Sequence, residues 1–171
     1  APIQGEIDEA IRRVFDRCVF IGGEECRRFE EELAASVGAP HAVGAASCTA
    51  ALSMALLACG VGPGDEVIAP TNTYIATIEA IAFIGARPVL VDIGPADHLM
   101  DPAAAEAAIT PRTRALIAVH LYGAPCDMDR LGALAARHHL ALIEDCAQSQ
   151  GTLYRGRATG TFGLAAAFSF F

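Results

Sequence analysis

Ser47-Cys48-Thr49 stands directly before AALSMALLACG, an apolar run ending at Gly60 that reads as a helix. Unpaired amides at a helix start, together with the Ser47 and Thr49 hydroxyls, suit a phosphate dianion. From this segment alone, an ordinary helix cap is the better reading of the same residues. Tyr74 follows the apolar stretch Val67 to Pro70, where its ring could stack on a flat ligand or simply fill the rim of a core. Leu142 to Gln148 is an apolar strand that closes on two acids. Asp145 at that edge could pair with a protonated ring nitrogen and keep the ring an electron sink, and Gln148 could donate to a ring oxygen. The alternative is that one acid caps the next turn and the other is solvated. Ser169 in AFSFF is either a further phosphate ligand or a backbone-bonded filler.

The remaining reactive side chains form no such pattern. His120, in HLYG, has no carboxylate or cysteine partner at a useful spacing, and reads as a strand-end histidine. The pair His138-His139 reads as a solvated helix end. Cys18, Cys26, Cys48, Cys59, Cys126 and Cys146 are scattered, with no CxxC and no Cys/His spacing that a zinc ion needs, so no metal is expected. Free, mostly buried thiols in a reducing compartment are expected, which makes the cytoplasm the default location. All 12 basic residues are arginine; the chain has no lysine. Chemistry that needs an internal amine nucleophile cannot be completed by these residues alone.

The elements that must position these side chains are legible as alternating runs. Ile7, Ile11, Val14 and Phe15 share one helical face, and a second helix runs from about Glu24 to its stop at Gly38. After the helix that ends at Gly60, strands are expected at Glu66–Ala69, Pro88–Asp92, Ala115–Val119, Leu140–Glu144 and Ala166–Phe171. Helices are expected at Ile75–Ile84, from Asp101-Pro102, and at Asp129–His138; Asp101 caps the second of these and Pro102 takes its first position. Apolar strands separated by helices imply an α/β fold: three layers, with a mostly parallel sheet covered on both faces. Ligands of such sheets lie beyond the carboxyl ends of the strands, where Thr49, Tyr74, His120 and Asp145 fall.

A chain of 171 residues suits one such unit. Its net charge of -8 argues against general affinity for nucleic acid or acidic membranes, and no apolar stretch is long enough to span a bilayer. The opening residues do not resemble a signal peptide.

Five segments in order resemble one family, the DegT/DnrJ/EryC1/StrS sugar aminotransferases, which are pyridoxal-phosphate (PLP) enzymes of aspartate-aminotransferase fold type I. The segments are GPGDEVIAPTNTYIAT (62–77), GARPVLVDI (85–93), AITPRTRALIAVHLYGAPCDMD (108–129), LIEDCAQ (142–148) and FGLAAAFSFF (162–171). The likeness runs from about Ile21 to Phe171. It implies that residues 1–171 are the N-terminal portion of the large PLP-binding domain, with the rest of that domain and a small C-terminal domain absent.

The resemblance also assigns roles. Cys48, Thr49 and their amides would hold the cofactor phosphate, with Ser169 as a second phosphate ligand. Tyr74 would stack on the pyridine ring, Asp145 would meet the ring nitrogen, and Gln148 would face the phenolic oxygen. The Schiff-base lysine would lie a few residues past Phe171 and is not in this chain, so the isolated chain is expected to be inactive. The implied partners are a nucleotide-linked keto-sugar and an amino-acid donor, glutamate or glutamine, with the enzyme acting as a homodimer. The segment NTYIAT (72–77) looks most like members acting at the 3-keto position of nucleotide-linked 6-deoxyhexoses. Two departures stand out: Cys48 takes a place where glycine is common, and Gln148-Ser149-Gln150-Gly151 replaces a common Gln-Ala-His-Gly near the sugar side. Two alternatives stay open: the family's nucleotide-sugar 3-dehydratases, in which histidine replaces the lysine, and a non-catalytic half-domain partner.

Overall fold

The computed structural model describes residues 2–171. The chain forms two units, Ala1–Gly44 and Ala45–Phe171. In the first, α1 (Gln4–Arg17) and α2 (Glu24–Val37) are tied by Arg13, whose Nε and Nη2 reach the Glu25 carboxylate at 2.9 and 3.3 Å. Gly38 ends α2 at φ 77°, a left-handed conformation that costs glycine little, and its N–H returns to the Ala34 and Ala35 carbonyls. Ile7, Ile11 and Phe15, the expected apolar face of α1, are all exposed.

The second unit is built on a five-stranded sheet in the order β2-β1-β3-β4-β7. Its strands are β1 (Glu66–Pro70), β2 (Arg87–Val91), β3 (Thr113–Val119), β4 (Ala141–Cys146) and β7 (Ala165–Phe168). Every pairing in it is parallel. The helices are α3 (Cys48–Ala58), α4 (Ile75–Phe83), α5 (Pro102–Ala107) and α6 (Met128–His138). The chain leaves β1 through α4 for β2, then returns past β1 to β3 through α5 and goes on to β4 through α6. Crossovers of one hand put α4 and the α5–α6 pair on opposite faces, and α3 packs on α4. Both faces are thereby covered, which is why β1 is buried throughout and Leu116, Ile117 and Ile143 are inaccessible. None of the helices is long and apolar enough to cross a membrane among the described residues.

Two prolines sit where a missing N–H costs no ladder bond. Pro88 is in β2, an edge strand, and Pro70 is the last residue of β1, beyond the β1–β3 pairing that ends at Ile68. Two strand expectations change. The final strand stops at Phe168 rather than running to Phe171, because its one neighbour, β4, ends at Cys146, the partner of Phe168. A small antiparallel hairpin, β5 (Leu153–Tyr154) and β6 (Arg157–Ala158), lies between β4 and β7. Its turn, Arg155-Gly156, has φ of 51° and 82°, the positive pair that suits a two-residue hairpin.

Candidate functional site

The order in which strands are added reverses between β1 and β3, and such folds take ligands outside the carboxyl ends of their strands. Asp145 is the penultimate residue of β4 at this edge and is 6% exposed. Its Oδ2 accepts from Thr77 Oγ1 at 2.8 Å and its Oδ1 from the Ala147 N–H at 3.1 Å. Burial lifts its carboxyl above the ordinary aspartate value of 3.8, against the opposing pull of Thr77 and the Ala147 amide. Thr77 lies in the first turn of α4, so Asp145 is fastened to the start of that helix. Its charge also acts on Cys48, the first residue of α3. Asp145 is thus bracketed by two helix starts.

The α3 start divides its donors. Ser47 Oγ accepts from the Ala50 N–H at 3.1 Å and its carbonyl takes the Ala51 N–H, so Ser47 acts as the cap. The amides of Cys48 and Thr49 and the Thr49 hydroxyl have no partner among the described residues. Of the two hydroxyls anticipated for an anion, only that of Thr49 is left. Burial, then the Asp145 charge, pushes the Cys48 thiol up to about 12, so it stays neutral beside those amides.

Gln148 is oriented by the backbone of another loop. Its Oε1 accepts from the Tyr122 N–H at 2.8 Å, and its Nε2 has no acceptor among the described residues. A backbone N–H can only donate, so this bond fixes which amide atom faces away as a free donor. Tyr122 makes the bond from a left-handed backbone, φ 56°. Ser169, one residue past β7, accepts from the Phe171 N–H at 3.3 Å and keeps its own O–H to give. Gln150 donates to the Ser169 and Ala147 carbonyls, joining the segments that follow β7 and β4. Tyr74 precedes α4 as its N-cap residue and is 74% exposed. No hydrogen bond joins Thr49 to Ser169, or Tyr74 to the other candidates, among the described residues; what they share is the edge.

Two sequence expectations are corrected. His120 does have a carboxylate partner: it is fully buried, with Nε2 3.0 Å from Glu144 Oε2 and Nδ1 accepting from the Cys126 N–H at 3.1 Å. The Nδ1 bond puts the ring proton on Nε2, which donates to Glu144. Glu144 also accepts from Gly160, Phe162 and Gly163 N–H, each at 2.7 Å. Burial raises its carboxyl, but His120 and the Gly163 and Gly160 amides outweigh that and hold it below its ordinary value. His120, Glu144 and Cys146 lie within 4.8 Å of one another. The polar atoms of His120 and Glu144 are spent on each other, on the Cys126 amide and on the loop before β7, so the pair is a staple. This pairing joins the end of β3 to β4 and becomes visible only when the parallel register is known. The cysteines are all free, but only Cys126 and Cys146 are buried; Cys18 and Cys26 are exposed and the other two half-buried. Ser47 takes the capping role that the sequence offered for it. Sequence reasoning also missed Thr77 and Tyr122. A buried threonine among the apolar residues of α4 was the one available signal for the first.

The DegT/DnrJ/EryC1/StrS aminotransferase family is represented by a model that matches residues 2–171. A UDP-N-acetyl-3-dehydro-alpha-D-glucosamine 3-aminotransferase of Acidithiobacillus ferrooxidans is 50% identical over 171 residues, which is 100% of this chain and 46% of that protein. The crystal structure of S. venezuelae DesV in complex with a ketimine intermediate has a TM-score of 0.95 and 49% identity, covering 99% of this chain and 46% of that one. The PLP-form of Spr1654 from Streptococcus pneumoniae has a TM-score of 0.88 and 33% identity, covering 94% of this chain and 46% of its own. The chain therefore spans about half the length of the relatives it matches.

Proposed function

The chain belongs to the DegT/DnrJ/EryC1/StrS aminotransferase family, and from that premise we propose that the protein is a PLP-dependent aminotransferase that moves an amino group from glutamate or glutamine to a keto group of a nucleotide-linked deoxysugar. One observation carries the reading. Unspent donors at the α3 start and a buried carboxylate bonded on both oxygens meet at the carboxyl edge of a parallel sheet. That set fits the cofactor group by group. The Cys48 and Thr49 amides, the Thr49 hydroxyl and the Ser169 O–H suit its phosphate. The Asp145 carboxylate suits its ring nitrogen, the Gln148 Nε2–H its phenolic oxygen, and the exposed Tyr74 ring its face.

When bound, PLP carries the amino group and accepts the electron pair left as a proton departs from the carbon beside it. The chain's own residues supply the conditions. Asp145, kept in place by Thr77 and Ala147, would hold a proton on the ring nitrogen. The α3 amides would anchor the phosphate, and the exposed Tyr74 would offer its ring as a stacking face. Moving the proton between substrate and cofactor needs a lysine amine, and this chain has no lysine. That lysine must come from residues other than these. We further infer a homodimer acting in the cytoplasm, a compartment in keeping with six free thiols.

The test uses the whole protein. Incubated with PLP, glutamate or glutamine, and a panel of UDP- and dTDP-linked keto-sugars, it should form an amino-sugar detectable by mass. Failure to take up PLP, or no product with any member of the panel, would sink the proposal.

A further inference from the structure

The site's carboxylate is held by a side chain for which the assigned roles give no purpose. Thr77 is 1% exposed, and its Oγ1 lies 2.8 Å from Asp145 Oδ2 and 2.8 Å from Thr73 Oγ1. A hydroxyl has one hydrogen. An ionised carboxylate can only accept, so Thr77 gives its hydrogen to Asp145 and takes that of Thr73 in return. The two hydroxyls form a directed chain, Thr73 to Thr77 to Asp145. The residue they bracket is Tyr74, the cap of the same helix turn. One turn of α4 therefore sets both the carboxylate and the aromatic ring.

We propose that Thr77, backed by Thr73, is the positioning residue for Asp145, fixing the plane and the ionised form of the carboxylate that meets the ring nitrogen. This rests on the reading of Asp145 given above. The geometry argues for it in two ways. Asp145 is bonded on both oxygens, by a side chain on one and a backbone amide on the other, so its plane cannot rotate without breaking one of them. The Ala147 donor lies two residues on in the same chain segment, which leaves Thr77 as the one side chain among the described residues that ties the carboxylate to another element. Burial works against the charge, and Thr77 is the largest counterweight to it. The other ionisable groups around Asp145 are Cys48 from the α3 start, His120 from the end of β3, and Glu144 and Cys146 on β4; none of them makes a hydrogen bond to its side chain.

The experiment compares Thr77→Val, Thr77→Ser, Thr73→Val and Asp145→Asn in the whole protein, with two readouts besides turnover. The first is the affinity of the apoprotein for PLP, followed by fluorescence. The second is the titration of the Asp145 carboxyl in the apoprotein, followed by carbon-13 NMR. Thr77→Val should weaken PLP binding by about tenfold, the scale of one lost hydrogen bond to a charged group. It should also shift the Asp145 titration upward. Thr77→Ser should restore both, and Thr73→Val should move both in the same direction by less. A purely packing role for Thr77 predicts the reverse order, with valine close to the wild type and serine worse; that result overturns the inference. Wild-type affinity and an unmoved titration in Thr77→Val also overturn it. If Asp145→Asn binds PLP like the wild type, the reading of Asp145 fails, whereas the titration still reports whether Thr77 governs that carboxyl.

Discussion

At the scale of single residues, the site turns on two adjacent carboxylates with opposite environments. Asp145 is lifted by burial and bonded by two donors, while Glu144 is held down by His120 and three backbone N–H groups. Asp145→Asn keeps the shape and removes the charge that would hold the ring nitrogen protonated. In the whole enzyme it should slow the half-reaction with the amino donor by about 1.5–3 kcal/mol in barrier, roughly ten- to a hundredfold. Stopped-flow absorbance measures this, and near wild-type conversion would make Asp145 a cap only. Glu144→Gln should behave differently: an amide cannot accept from four donors, so about 3 kcal/mol of stability should go, read as a lowered urea midpoint. The residues that bear the proposed chemistry were legible because each borders or interrupts an apolar run. Their holders were not, because Thr77 and Asp145 are 68 positions apart and only the folded register brings them together.

At the scale of elements, the helices and strands of the parallel sheet were readable from apolar runs and turn residues, with ends displaced by a residue or two. Gly38 and Asp101-Pro102 marked helix ends through backbone chemistry that is local, and so visible in sequence. The β5–β6 hairpin escaped because two residues a side leave no periodicity, and the end of β7 escaped because its partner decides it. The approach of β7 to β4 depends on Gly163. A Cβ there would lie 2.4 Å from the Leu142 carbonyl oxygen, while the neighbouring Leu164 N–H bonds that same oxygen at 2.8 Å. Gly163→Ala should therefore push β7 off its neighbour at a cost of about 1–3 kcal/mol. It should also raise amide exchange at Ala165 to Phe168. Unchanged protection of that strand would mean the loop absorbs the methyl group elsewhere.

At the scale of the molecule, carboxylates at both edges of the sheet link stability to pH. Glu66, at the amino edge, accepts from Thr110 Oγ1 at 2.6 Å and from Arg112 Nη2 at 2.7 Å, and these bonds outweigh burial to hold it below the ordinary glutamate value of 4.5. Glu144, nearer the carboxyl edge, is likewise lowered. A carboxyl with a lowered folded value refuses protons that the unfolded chain accepts. The stability it confers is full above 4.5 and drains as the pH falls through the folded value. Asp145 has the opposite sign: its raised value lets the folded state take up a proton first, so acidification offsets part of the loss. The carboxylate proposed for function is thus the one whose charge costs the fold, a trade expected where a buried group is kept ionised for chemistry. Urea melts across pH 3–7 should then separate Glu144 from Asp145. Glu144→Gln should be less stable at neutral pH and lose less on acidification. Asp145→Asn should be at least as stable as the parent at neutral pH and fall more steeply below it, because the compensating protonation is gone. Parallel curves for the parent and Asp145→Asn would mean that Asp145 titrates alike in both states, and that its burial places no strain on the fold.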